Sequence, residues 1–175
     1  IVLMGYLNPV EIMGYEAFAT RASDVGVDGV LIVDMPPSEA SGLRDLLKER
    51  RIDTIFLVAP TTTDTRCAQI VANCSGYLYY VSLKGVTGAA LLDSESVRLS
   101  IEKLRKMTDL PIVIGFGIKD AASARTMGAL SEGVIIGSAL VERIEKLSPG
   151  DTASAQQLAH VTEVIKTARE ALDSL

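Results

Sequence analysis

Six short apolar runs, each followed by a longer amphipathic segment, constrain this chain more than any other feature of it. The runs begin near residues 1, 29, 54, 77, 111 and 133, so each interval holds one strand and one helix. A β-strand followed by a helix, repeated, is the sequence form of a parallel sheet with helical crossovers. The runs are almost continuously apolar, as expected of parallel strands covered on both faces. Strands are expected over 1–6, 29–34, 54–58, 77–82, 111–115 and 133–136. Helices are expected over 11–25, 38–50, 64–73, 94–107, 120–129, 138–145 and 152–174. Ser38, Thr63, Ser94 and Asp120 stand where N-caps belong, because their side-chain oxygens can accept a first-turn amide. Pro36-Pro37 and Pro60 mark connections after strands, and residues 148–151 form one clear turn cluster. With no linker or low-complexity tract, residues 1–175 are expected to form a single domain.

Two architectures suit six such units: an open doubly wound sheet, or a β/α barrel lacking part of itself. A doubly wound sheet carries its phosphate-binding turn after the first strand. Here the first strand ends Gly5-Tyr6-Leu7-Asn8-Pro9, which is no such turn. The glycine-ended strands come last, in Pro111-Ile112-Val113-Ile114-Gly115-Phe116-Gly117-Ile118 and Gly133-Val134-Ile135-Ile136-Gly137-Ser138. In an eight-stranded barrel, phosphate commonly sits on the loops after the last two strands, beside a helix N-terminus. Glycines also turn a chain with no ligand present. Two successive units of one design favour the phosphate cup. The expected fold class is therefore α/β, an incomplete (β/α)8 TIM barrel. A complete barrel needs about 250 residues, so about six of its βα units are present.

Composition narrows the function. No apolar run approaches the roughly 20 residues that span a bilayer. The opening lacks a basic n-region, so no signal peptide is expected. The apolar run starting at residue 1 leads us to expect a chain that begins inside or just before a strand. Net charge is −5, and the basic clusters at 48–51 and 103–106 read as solvated helix faces, so nucleic acid is not an expected partner. Cys67 and Cys74 have no metal-ligand spacing and read as reduced thiols in a cytoplasmic protein. His160 falls in the terminal helix, away from any strand end.

The loop Ser82-Leu83-Lys84-Gly85-Val86-Thr87-Gly88, continuing to about Asp93, is a candidate lid. Lys84 and the Gly88 amide could meet a phosphate there. Tyr6, Tyr79 and Phe116, with Met4, Leu31, Val33, Leu57 and Ile135, could line a flat apolar pocket, although each would also serve as barrel packing. Asp34 is the carboxylate that strand position places at the barrel mouth. Acid–base chemistry usually wants a second, differently tuned group. None is convincing here, and neither a Ser/His/Asp set nor a strand-end lysine is present.

Leu3-Met4-Gly5-Tyr6-Leu7-Asn8-Pro9, Gly29-Val30-Leu31-Ile32-Val33-Asp34-Met35-Pro36, Tyr80-Val81-Ser82-Leu83-Lys84-Gly85-Val86-Thr87-Gly88, Gly115-Phe116-Gly117-Ile118 and Gly137-Ser138-Ala139-Leu140-Val141 resemble, in order, segments of the tryptophan synthase alpha subunit family. The resemblance implies a barrel that cleaves indole-3-glycerol phosphate to indole and glyceraldehyde 3-phosphate, a retro-aldol reaction without a cofactor. It implies phosphate binding at Gly88, Gly117, Ile118, Gly137 and Ser138. It implies an indole pocket at Tyr6, Leu31, Leu57, Tyr79 and Phe116, and a lid threonine at Thr87. Asn8, Asp34 and Pro36 would face a beta subunit in an alpha2beta2 assembly; that partner carries pyridoxal phosphate. The family's catalytic glutamate and aspartate precede the segment matching residue 1. The chain is therefore expected to lack the first two βα units and both catalytic carboxylates, with Tyr79 and Thr87 in supporting places.

Two other readings stay open. One is a phosphate- or partner-binding α/β module without chemistry. The other is a different phosphate-binding barrel enzyme using Asp34. An incomplete barrel exposes two strand edges and apolar interior, so the chain is expected to associate with itself, rearrange locally or derive from a longer protein.

Overall fold

The computed structural model describes residues 1–82, 94–115, 117–147 and 154–175. Strands and helices alternate: β1 (Val2–Gly5), α1 (Leu7–Met13), α2 (Tyr15–Asp24), β2 (Gly29–Ile32), α3 (Ser41–Glu49), β3 (Asp53–Thr54), β4 (Phe56–Val58), α4 (Asp64–Asn73), β5 (Leu78–Val81), α5 (Ser94–Arg105), β6 (Ile112–Gly115), α6 (Ala121–Gly128), β7 (Gly133–Ile135), α7 (Ser138–Glu145) and α8 (Ala155–Asp173). The chain divides into two compact units. One comprises Ile1–Tyr79 with Arg105–Pro111, and the other Tyr80–Leu104 with Ile112–Leu175.

In the first unit, β1, β2 and β3 form a parallel sheet in that order, with Leu3 opposite Val30 and Gly29 opposite Asp53. The strand expected over 54–58 is two pieces: β3 pairs with β2, and β4 belongs to the sheet of β5. Leu43 and Leu47, four apart on α3, are buried with Val30 and Ile55. Each such leucine contributes roughly 1.5–3 kcal/mol of burial. Helix α3 ends where Arg51 turns left-handed at φ 58°, with Ile52 N–H donating to Leu47 O at 3.0 Å. Glycine usually takes that position because it carries no Cβ.

Two expectations need correction here. The helix expected over 11–25 starts earlier and is broken. It begins at Leu7, and Gly14 at φ 85° separates α1 from α2. Pro9 sits in the first turn of α1, where its missing N–H costs nothing. Ser38 is not a cap either. Residues 36–40 fold as turns, and α3 begins after Ala40 without a side-chain cap. Thr63 does cap α4, its Oγ1 accepting from Arg66 N–H at 3.4 Å. Strand β1 is apolar yet exposed: Val2, Leu3 and Met4 are 41%, 39% and 53% accessible, and β2 is its one sheet neighbour among the described residues.

Cys67 is buried and Cys74 half-buried, and neither is in a disulfide. Burial pushes the Cys74 thiol from about 9 up to about 11. The folded protein thus holds this proton more tightly than the unfolded chain. The resulting stability is present below about pH 9 and is lost as pH rises through 11. Alkylation of Cys74 is expected to be slow at pH 8 and to accelerate toward pH 11. A rate that levels off by pH 9 would contradict the shift.

In the second unit the end of β5, then β6 and β7, lie side by side, with Val113, Ile114 and Gly115 opposite Gly133, Val134 and Ile135 in parallel. Val97, Ile101 and Leu104 form the buried stripe of α5, at the spacing that keeps one helix face inward. Helix α8 buries Val161, Val164 and Ala168. It approaches α6 closely at Gly128, where a Cβ would run into the Leu172 side chain. Among the described residues, no helix is long and apolar enough to cross a membrane.

Candidate functional site

The phosphate-cup residues that the structure describes fall in the second unit. The β6–β7 register pairs Gly115 with Ile135, so Gly117 and Gly137 each lie two residues beyond the last pair. Gly117 has φ 76°, a conformation open to glycine at little cost. It is exposed, while Ile118 turns back into the core. Gly137 is the N-cap of α7, and Ser138 is its first residue. Among the described residues no side chain caps this helix, and a Cβ at Gly137 would meet nothing within 4 Å. The N-terminus of α6 is different. Asp120 and Ser123 close a capping box there, and these hydrogen bonds from Ser123 hold the Asp120 carboxyl below its usual range. The α7 terminus is therefore the one of these two that keeps amide donors and helix dipole available to an anion.

Ser82, expected to close the strand over 77–82 and to open the lid motif, lies just past β5 and has a structural role. It is fully buried, and both its N–H and its Oγ donate to Gly115 O, at 3.0 and 2.8 Å. This pair of hydrogen bonds fixes the end of β6 from which Gly117 departs. An apolar-strand reading passes over such a residue; a lone serine closing a hydrophobic run is the signal that could have found it.

The described pocket residues fall in the first unit. Side chains alternate along a strand. Val30 and Ile32 line a small cavity with Leu43 and Leu47 of α3, so Leu31 points to the opposite face of β2. Leu31 is 1% accessible, Tyr79 3%, and Leu57 is half-buried. Burial pushes the Tyr79 hydroxyl up to about 12, so it is a neutral hydrogen-bonding group at ordinary pH. Tyr6, by contrast, is 64% accessible at the N-cap of α1. Leu57 shares a cavity of about 320 Å³ with Asp34, Pro36, Phe56 and Arg66. That brings one expected pocket residue together with two expected partner-facing ones. Asn8 is exposed in the first turn of α1. Asp34 accepts the Leu7 N–H at 2.7 Å. Lys84, Thr87, Gly88 and Phe116 lie outside the described residues. Among the described residues, no group of three or more His, Cys, Asp or Glu could hold a metal ion.

The family model described as tryptophan synthase alpha chain matches residues 1–171. The tryptophan synthase alpha chain of Psychrobacter arcticus is 49% identical over 180 residues, covering 100% of this chain and 63% of its own length. That of Marinobacter nauticus is 50% identical over 175 residues, covering 100% and 64%. Among solved structures, tryptophan synthase subunit alpha from Legionella pneumophila superposes with a TM-score of 0.85 at 33% identity. It covers 99% of this chain and 63% of that one. Mycobacterium tuberculosis tryptophan synthase gives 0.83 at 31% identity, covering 98% and 62%. The chain thus spans a little under two thirds of the length of these relatives. Its fold is that of their β/α barrel, of which it supplies about six βα units. The match over nearly every residue, at about half identity, places the chain in the tryptophan synthase alpha chain family.

Proposed function

We propose that these residues belong to a protein that cleaves indole-3-glycerol phosphate into indole and glyceraldehyde 3-phosphate. The retro-aldol step breaks the bond between the indole ring carbon and the glycerol chain. The ring carbon gains a proton, and the chain hydroxyl loses one to become the aldehyde. In this reading Gly117, Ile118, Gly137 and Ser138, with Gly88, hold the phosphate. Tyr6, Leu31, Leu57 and Tyr79, with Phe116, receive the indole. The catalytic glutamate and aspartate lie outside residues 1–175, and the reaction needs no cofactor. The indole passes to a beta subunit docked on the side of Asn8, Asp34 and Pro36. A Pyrococcus furiosus neighbour is described as a tryptophan synthase complex.

The observation that carries the reading is the N-terminus of α7, which has no side-chain cap among the described residues, with Gly117 and Gly137 each two residues beyond the ends of two paired strands. Inorganic phosphate at ten times its Kd is expected to stabilise the chain by about 1.4 kcal/mol, or roughly 3–6 °C in Tm for a protein of this size. Gly137→Asp introduces a carboxylate that takes the same amides. Its Cβ has open space, so the fold is kept and the phosphate shift is lost. A wild-type Tm indifferent to phosphate, or a Gly137→Asp variant that keeps the shift, would reject the cup. Phosphate binding without indole release, even in the longer protein, would favour the binding-module reading. The use of Asp34 as an acid–base group is disfavoured by its engagement with Leu7.

A further inference from the structure

We infer that Asp34 is a positioning residue: it fixes the turn between β1 and α1, and through that turn it sets Tyr6 and Asn8. Helix α1 has no cap of its own, because its N-cap residue, Tyr6, makes no side-chain cap bond. Pro9 removes one first-turn donor. The Leu7 amide is taken from across the sheet by Asp34 Oδ1 at 2.7 Å, 27 residues away in sequence. The bond continues the β1–β2 ladder. Val33 N–H donates to Gly5 O at 2.9 Å, and the next rung is made by the Asp34 side chain because the chain has turned into a helix. A carboxylate at this place also complements the positive helix end. Tyr6 immediately precedes Leu7 and Asn8 follows it, so one bond holds the reference point for both. The same Asp34 lines the cavity shared by Leu57 and Pro36. The device therefore links an indole-pocket residue to the partner-facing loop. Its functional meaning rests on the reading given under Proposed function; the positioning itself does not.

The test compares wild type, Asp34→Ala and Asp34→Asn by residue-resolved amide exchange and by indole titration. Asparagine keeps an oxygen acceptor at Oδ1, removes the charge and replaces the second oxygen with an NH2 donor. In Asp34→Ala, exchange at Leu7, Val10 and Glu11 is expected to rise roughly tenfold, because a local opening loses its closing bond. Amides of Val30 and Ile55 are expected to stay unchanged. Asp34→Asn is expected to restore protection to within about threefold. Indole affinity is expected to follow the same order, weakening several-fold in the alanine variant alone. Unchanged exchange at Leu7 would overturn the inference, as would equal behaviour of the two variants or a uniform rise at all amides. If the wild type binds no indole, the pocket reading fails, and the exchange pattern still decides the role of Asp34.

Discussion

Residues 1–175 are expected to release indole from indole-3-glycerol phosphate at least 100-fold more slowly than a full-length tryptophan synthase alpha chain assayed beside them. The reaction needs one proton delivered to the ring carbon and another withdrawn from the glycerol hydroxyl. Loss of a positioned acid–base group typically removes about 10²–10⁴ of rate. Three carboxylates near strand ends among the described residues are committed elsewhere. Asp34 accepts the Leu7 amide. Asp120 accepts the Ser123 amide at 2.8 Å and the Ser123 hydroxyl at 2.7 Å, and its lowered pKa leaves it no proton to give near neutrality. Glu132 precedes its strand and accepts from Ile112 N–H at 2.8 Å. His160 is exposed on α8. The check is a time course of indole release at matched concentration. Turnover within tenfold of the full-length protein would mean that a catalytic pair exists within these residues and that the assignment of chemistry above is wrong.

Gly76→Ala is expected to destabilise the fold by about 3 kcal/mol, read as a fall in the urea midpoint at unchanged slope. Two costs add. Gly76 has φ 70°, where a residue with a Cβ loses roughly 1–2 kcal/mol. That Cβ would also lie 2.8 Å from Asp53 Oδ2 and 2.9 Å from Asp53 Cβ. The second atom is fixed to the backbone of β3, so the strand itself must shift, and overpacking of this kind costs about 1–3 kcal/mol. Nearby, Ser75 N–H donates to Thr54 O and Thr54 N–H to Ser75 Oγ, each at 2.9 Å, which leaves the turn little room to give. Gly26→Ala is the control: φ is 75° in the turn that ends α2, but its Cβ would meet nothing within 4 Å. It carries the backbone cost alone and is expected to lose about 1–2 kcal/mol. Equal losses in the two variants would show that the contact with Asp53 is relieved by relaxation.

Much of the fold was legible because each level repeated the same message. The apolar runs at 29–34 and 111–115 hold the strands Gly29–Ile32 and Ile112–Gly115, and the stripe Val97, Ile101 and Leu104 is the buried face of its helix. Asp120 and Thr63 cap as expected, since capping depends on a side chain and an amide a few residues away. Ser38 misled because the same chemistry also supports turns. The start of α1 was missed because its first amide is taken by Asp34, in the turn after β2 and outside any local window. The phosphate cup was legible as two glycine-ended strands. That one helix terminus has no side-chain cap among the described residues while the other is closed by its own capping box is decided by the tertiary structure.

Local pattern in the sequence determined the alternation of strand and helix, the parallel class of sheet and the strand ends that carry the glycines, because these depend on side-chain periodicity and on contacts a few residues apart. Tertiary structure decided what Asp34 does, that Ser82 clamps the end of β6, that Tyr6 stands exposed while Leu31 and Tyr79 are buried, and that an apolar β1 lies open. Those outcomes depend on which distant backbone group comes within hydrogen-bonding reach and on which faces find a neighbour. The range of a local pattern ends before either is settled.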